Sequence, residues 1–245
     1  MRATGLFLFA FTLAAQDPGR GVNFYSIEKE QALGAEIAKH YRAETTILEI
    51  PELLKRIEAI ARPMIPADSK FTYRFALADS GNATEPVALP GGFIFVPTGL
   101  LRKAQHSDEL AGMLAHAIAH VEARQGTKQA TKAELVNRAS IPLIYLGSWN
   151  GMGGQPDNAV PLGFREFARK NEMQADQLAA QMMQSHGHSP ARLADYIERI
   201  QPGSPRAAAL REIPAVDTPN TMQELQQLLP ALPPQRAKEP PRLAR

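Results

Sequence analysis

The stretch Ser107-Asp108-Glu109-Leu110-Ala111-Gly112-Met113-Leu114-Ala115-His116-Ala117-Ile118-Ala119-His120-Val121 decides how the rest of the chain is read. It predicts a helix. Ser107 stands at its cap, and Asp108 and Glu109 occupy the first turn, where negative charge is favourable. The helix runs to Arg124, and Gly126 supplies a left-handed stop. His116 and His120 are four residues apart, so their imidazoles lie on one face, one turn apart. That spacing lets two histidines share a tetrahedral metal. It equally suits two polar residues that merely line a helix face.

Upstream, Phe24 to Ala43 reads as an amphipathic helix with Ser26 as its cap, and Pro51 to Ile60 as a second. Phe71 to Leu77 alternates with period two and reads as a strand. Val87 to Leu89 and Phe93 to Val96 are short apolar strands around Pro90-Gly91-Gly92. Pro86 and Pro97 mark these two as edge strands or strand ends, because proline cannot donate to a ladder. Downstream, helices are expected at 127–139, at 163–185, at 191–200 and, briefly, at 221–229. Residues 141–161 read as irregular, with Tyr145 and Trp149 either covering a cleft or packing a loop. Met173, Met182 and Met183 read as core.

The 245 residues include no cysteine, so any metal must be held by His, Asp or Glu. A formal charge of +2 gives no field to drive nucleic-acid binding. Met1 and Arg2 precede an apolar run from Gly5 to Leu13 and then Ala14-Ala15, the pattern of a secretory signal peptide over residues 1–15. That run is too short to span a membrane, and no later stretch reaches spanning length. The expected organisation is a signal peptide, one domain over 22–212, and a Pro-rich, basic, mostly disordered tail over 213–245. The product would be exported, periplasmic or secreted, with no integral membrane segment after signal removal.

Glu172 and Asp176 form a second pair four apart, on the helix that begins near Gly163. Glu172 could complete a His-His-Glu ligand set and leave a fourth position to water. Asp176, one turn on, could hold a ligand imidazole in its tautomer. A solvated acidic face has the same spacing.

Four segments resemble one family in order. Residues 109–121 resemble the active-site helix of the zinc metallopeptidase family that includes HtpX, BepA and the CAAX prenyl endoprotease, metallopeptidase family forty-eight. Residues 88–100 resemble its substrate-side edge strand, Glu172-Met173-Gln174-Ala175-Asp176 its third-ligand motif, and Glu30 to Gly34 its N-terminal helix. The resemblance implies an α+β fold, a mainly helical zincin-like domain with a small sheet on the rim of the active-site cleft. It implies one Zn2+ per chain on His116, His120 and Glu172, with Asp176 behind them. It also implies an unfolded or extended polypeptide added to the edge strand at Gly92, Phe93, Ile94, Phe95 and Val96. Envelope proteins are the implied partners.

The resemblance fails at one position. The family motif is H-E-x-x-H, and Ala117 stands where its glutamate acts as general base. Alanine cannot take a proton from water, yet ligation does not need that carboxylate. Glu122 is about 140° further round the helix and should point away. Glu85, where the family usually has Asn, is the candidate substitute base. The family's His-Pro pair and following Arg would fall near Ser204-Pro205 and Arg211, so Ser204 replaces a histidine. The reading is therefore an impaired protease that binds zinc and polypeptide. The alternatives are an active endopeptidase with a substitute base and a structural domain without metal. His186 and His188 read as a polar loop at a helix end, and His40 and His106 as surface or capping residues.

Overall fold

The computed structural model describes residues 21–136 and 162–229. The signal segment 1–15, the stretch 141–161 with Tyr145 and Trp149, and the tail beyond 229 lie outside the described residues. The elements in chain order are α1 (Ile27–Glu44), β1 (Ile47–Leu48), α2 (Pro51–Ala61), β2 (Arg74–Ala78), β3 (Val87–Leu89), β4 (Phe93–Pro97), α3 (Thr98–Lys103), α4 (Ser107–Glu122), α5 (Gln125–Val136), α6 (Leu162–Ser185), α7 (Pro190–Ile200), α8 (Pro205–Arg211) and α9 (Met222–Gln227). The architecture is mainly helical with one small mixed sheet.

α4 is the axis of the fold. All its residues except His120 and Glu122 are buried, because α6, α7, α2 and β3 pack around it. Small residues allow this. A Cβ on Gly112 would come within 2.8 Å of Leu193 on α7. Its cap differs from expectation. His106 is the N-cap, and its Nδ1 accepts the Asp108 N–H at 3.1 Å. Ser107 is already helical, and its Oγ donates to the Pro219 carbonyl. The stop also differs. Arg124, not Gly126, is left-handed, with φ 54°. A non-glycine there costs on the order of 1 kcal/mol. Hydrogen bonds from its guanidinium to Glu30 (2.7 Å) and to the Tyr25 carbonyl (2.6 Å) hold it.

The strand order is β1-β2-β4-β3, with β2 and β4 parallel and the outer pairs antiparallel. This corrects the sequence reading. Phe93–Val96, expected as the edge strand that receives substrate, lies in an interior strand paired on both sides. The edge is β3. Gly91 (φ 78°) and Gly92 (φ 95°) make the tight turn that folds β3 back on β4. α1 clamps that turn, and a Cβ on Gly34 would lie 1.7 Å from the Pro90 carbonyl oxygen.

The C-terminal boundary is also corrected. Residues 213–229 pack on the body rather than trailing from position 212. Thr218 Oγ1 donates to Asp108 at 2.6 Å, and Asn220 accepts the Ser107 N–H at 3.0 Å. Met222 and Leu225 are buried. On α6, Met173 is exposed whereas Ala175, Ala179, Ala180 and Met183 are core. Among the described residues no helix is long and apolar enough to cross a membrane.

Candidate metal centre

Three elements converge on one point. α4 presents His116 and His120, and α6, its most extensive packing partner, presents Glu172 and Asp176. α8 contributes Arg206. The Nε2 atoms of His116 and His120 are 2.9 Å apart. Glu172 reaches them at 3.4 Å (Oε2 to His116) and 3.6 Å (Oε1 to His120). Zinc bonds of about 2.05 Å at tetrahedral angles separate ligand atoms by ~3.3 Å. The triangle of donors fits that ion, and two imidazoles with one carboxylate suit zinc chemically. Among the described residues this is the group of His and acidic side chains close enough to hold a metal.

Asp176 Oδ1 lies 2.9 Å from His116 Nδ1, an ionic contact off the line of a hydrogen bond. Arg206 grips Asp176 from behind, with Nε at 2.6 Å and Nη2 at 2.9 Å. Its Nη1 is 3.4 Å from Glu172 and 3.5 Å from Glu85 Oε1. Burial by itself would pull the His116 pKa down, but the Asp176 and Glu172 carboxylates outweigh it and push it up to about 9. Burial would raise Glu172, yet the two imidazoles hold it far below the usual carboxylate range. Asp176 is likewise held low, against its burial, by Arg206 and His116. A divalent cation and the His116 proton therefore compete for one place.

His116 is buried, whereas His120 and Glu172 open into a cavity of about 1000 Å³. Its other wall includes Glu85 and the edge strand Val87–Leu89. The structure thus brings together His116, His120, Glu172, Asp176 and Glu85. It does not bring Gly92 to Val96 to the cavity. Their strand lies behind β3.

Ala117 is 1% exposed, and its methyl is the whole side chain between the two histidines. Glu122 is committed elsewhere, accepting hydrogen bonds from the Tyr73 hydroxyl (2.7 Å) and from Ser69. The arginine at the site is Arg206. Arg211, expected there by spacing, is half exposed and faces Asp195 and Glu198. Ser204 is the buried residue ahead of α8, and its hydroxyl faces Gln201 Oε1 rather than the metal group. The cue for Arg206 was Pro205, a good first residue for a helix, which places Arg206 in the first turn of α8. His188 bonds Asp108 at 2.8 Å and His186 its own helix at Met182, so neither joins the metal group.

A model of peptidase family M48 matches residues 49–235. The beta-barrel assembly-enhancing protease of Yersinia pestis is 27% identical over 186 residues, which is 71% of this chain and 38% of that protein. Its Escherichia coli K12 counterpart is 24% identical over the same shares. The mitochondrial metalloendopeptidase OMA1 of Schizosaccharomyces pombe is 29% identical over 159 residues, 63% of this chain and 44% of that protein. The chain therefore spans less than half the length of these relatives.

Proposed function

The chain belongs to peptidase family M48, a family of zinc metallopeptidases, and from that premise we propose that it binds one zinc ion and extended polypeptide but hydrolyses peptide bonds slowly or not at all. One observation carries this reading. The His116–His120–Glu172 triangle is complete, while the base position between the histidines holds the buried methyl of Ala117. Zinc, when bound, supplies Lewis acidity and an acidified water. Asp176 fixes the His116 ring, Arg206 fixes Asp176, and no carboxylate on α4 takes the proton. Loss of a general base typically lowers the rate about 10²–10⁴-fold. Polypeptide would add as a further strand along β3, whose outer edge lines the cavity. The signal-like segment 1–15 supports export. Two relatives named for enhancing β-barrel assembly support envelope proteins as the partner class.

Zinc titration of the metal-free protein, followed calorimetrically, tests the ligand set. One zinc per chain is expected, with strong weakening in Glu172→Ala. Unchanged affinity in that variant would remove the metal reading. Peptide hydrolysis by the zinc-loaded parent, near the background rate, is the second expected result.

A specific contact favours a second reading. Arg206 Nη1 stands between Glu85 and Glu172, which keeps a carboxylate on the cleft wall opposite the histidines. If Glu85 is a substitute base, the parent cleaves peptides and Glu85→Gln abolishes the cleavage.

A further inference from the structure

Tyr196 carries a hydroxyl for which the metal centre has no use. It stands on α7 with 0% exposure, and its hydroxyl donates to the Thr84 carbonyl at 2.7 Å, across 112 residues of sequence. Burial, helped by the Glu85 and Glu109 carboxylates, raises its pKa, so the group stays a donor.

Thr84 belongs to the segment 79–86, which forms the rim of the cavity between β2 and β3. The two halves of that rim are held differently. The Asp79 N–H donates to the Thr46 carbonyl at 2.8 Å, the Thr98 hydroxyl to Asp79 at 3.2 Å, and the Gly99 N–H to the Ser80 carbonyl at 3.3 Å. Residues 82–85 have two polar ties to the body among the described residues: Tyr196 to Thr84, and Arg206 to Glu85 at 3.5 Å. The second is long and its carboxylate is half exposed, so it holds weakly. α7 and α8 pack on each other, and Arg206 also grips Asp176 behind His116. The same helical pair thus reaches both the rim and the metal centre.

We propose that Tyr196 is a positioning residue for the polypeptide cleft: its hydroxyl fixes 82–85 and so sets the start of the β3 edge on which a strand pairs. This rests on the reading that polypeptide lies along β3. A ligand that needs a fixed rim loses affinity by the fraction of time the rim is out of place. Removing one hydrogen bond of ordinary strength shifts that balance about three-fold to ten-fold. Zinc, held by α4 and α6, depends on the rim only through the half-exposed Glu85, so its affinity should stay within about three-fold.

The test uses the full chain, zinc-loaded, as parent and as Tyr196→Phe, which keeps the buried ring and removes only the hydroxyl. The probe is fluorescein-labelled lactalbumin, reduced and carboxymethylated so that it stays unfolded, read by anisotropy. Zinc affinity is read by chelator competition, and hydrogen exchange by mass spectrometry over 79–89 and 107–122. The variant should bind the probe more weakly by the factor above and keep its zinc affinity. Exchange should rise over 79–89 and not over 107–122. Gly99→Ala, whose methyl would meet the Ala83 and Gly81 carbonyl oxygens, displaces the same rim from the α3 side and should give the same split. Unchanged rim exchange in Tyr196→Phe, or a faster rim with unchanged probe binding, overturns the positioning role and leaves polypeptide binding in place. Exchange that rises equally over α4, with zinc affinity falling alongside probe affinity, also overturns it, because the hydroxyl then serves stability alone. A parent that does not bind the probe overturns the polypeptide reading itself, and the proposal with it.

Discussion

Replacing Ala117 by Glu puts a carboxylate one residue beyond His116 on the helix that holds both imidazoles. The candidate ligands His116, His120 and Glu172 stand within reach of one ion, so the gain should approach the worth of a general base. That is about 10²–10⁴ in rate, or roughly 3–5 kcal/mol of barrier. The structure also sets a cost. The Ala117 methyl is 1% exposed, and Glu172 and Asp176 already place two anions nearby. A third carboxylate without a cation should destabilise the metal-free protein by about 2 kcal/mol or more, a fall of roughly 4–8 °C in Tm for a body of this size. Zinc should recover most of that loss, since the ion supplies the missing charge. The assay is hydrolysis of a quenched fluorescent unstructured peptide by parent, Ala117→Glu and Ala117→Gln, each zinc-loaded, with a chelated control. The Gln variant shares the bulk but cannot act as base, so it should stay at the parent rate. A Glu variant that binds one zinc and cuts no faster than the parent refutes the assignment of position 117.

Arg206→Ala leaves Asp176 buried without its fork. Stability should fall by about 3–5 kcal/mol and zinc affinity by about 10–100-fold, read by denaturant unfolding and chelator competition. Asp108 anchors the 213–229 segment. Burial would raise its pKa, but hydrogen bonds from His188, Thr218 and the Ser189 N–H prevail and hold it low. A depressed carboxylate contributes stability above its unfolded value and loses it as pH falls through the folded one. Unfolding midpoints should therefore drop below about pH 4, and Asp108→Asn should flatten that acid limb. Gly34→Ala would place a methyl 1.7 Å from the Pro90 carbonyl oxygen and should cost about 1–3 kcal/mol. Gly126→Ala, which meets only Pro90 Cγ at 3.5 Å, should be neutral or stabilising by about 1 kcal/mol.

What could be read in the sequence was local. His116 and His120 share a face because of helical spacing alone, and Ser26 caps α1 through the Lys29 N–H as its residue type predicts. The family relation, carried by four separated motifs, supplied Glu172 and Asp176. What could not be read depended on distant partners. The edge passed from β4 to β3 because a glycine turn and the α1 clamp fold β3 outward. Arg124 took the left-handed stop because Glu30, 94 residues away in sequence, holds its side chain. Arg206 entered the site because α7 and α8 pack together and α8 rests on α6. Spacing alone pointed to Arg211.

Charge accounting at the centre gives Glu85 a role that does not require catalysis. Without metal, the anions Glu172 and Asp176 are matched by Arg206 and a protonated His116, whose pKa is pushed up to about 9. Glu85 is then surplus. With a divalent ion bound, His116 is neutral, and Glu172 and Asp176 fall one charge short of the ion plus Arg206. Glu85, 3.5 Å from Arg206 Nη1, restores neutrality. Its half-exposed position limits the effect, so Glu85→Gln should weaken zinc binding only a few-fold. That shift should also grow at low ionic strength. A substitute base predicts a different pattern: hydrolysis lost while zinc affinity and its salt dependence stay as in the parent. Measuring affinity and turnover on the same Glu85→Gln preparation separates the two. An unchanged zinc affinity at low salt refutes the charge-balance argument.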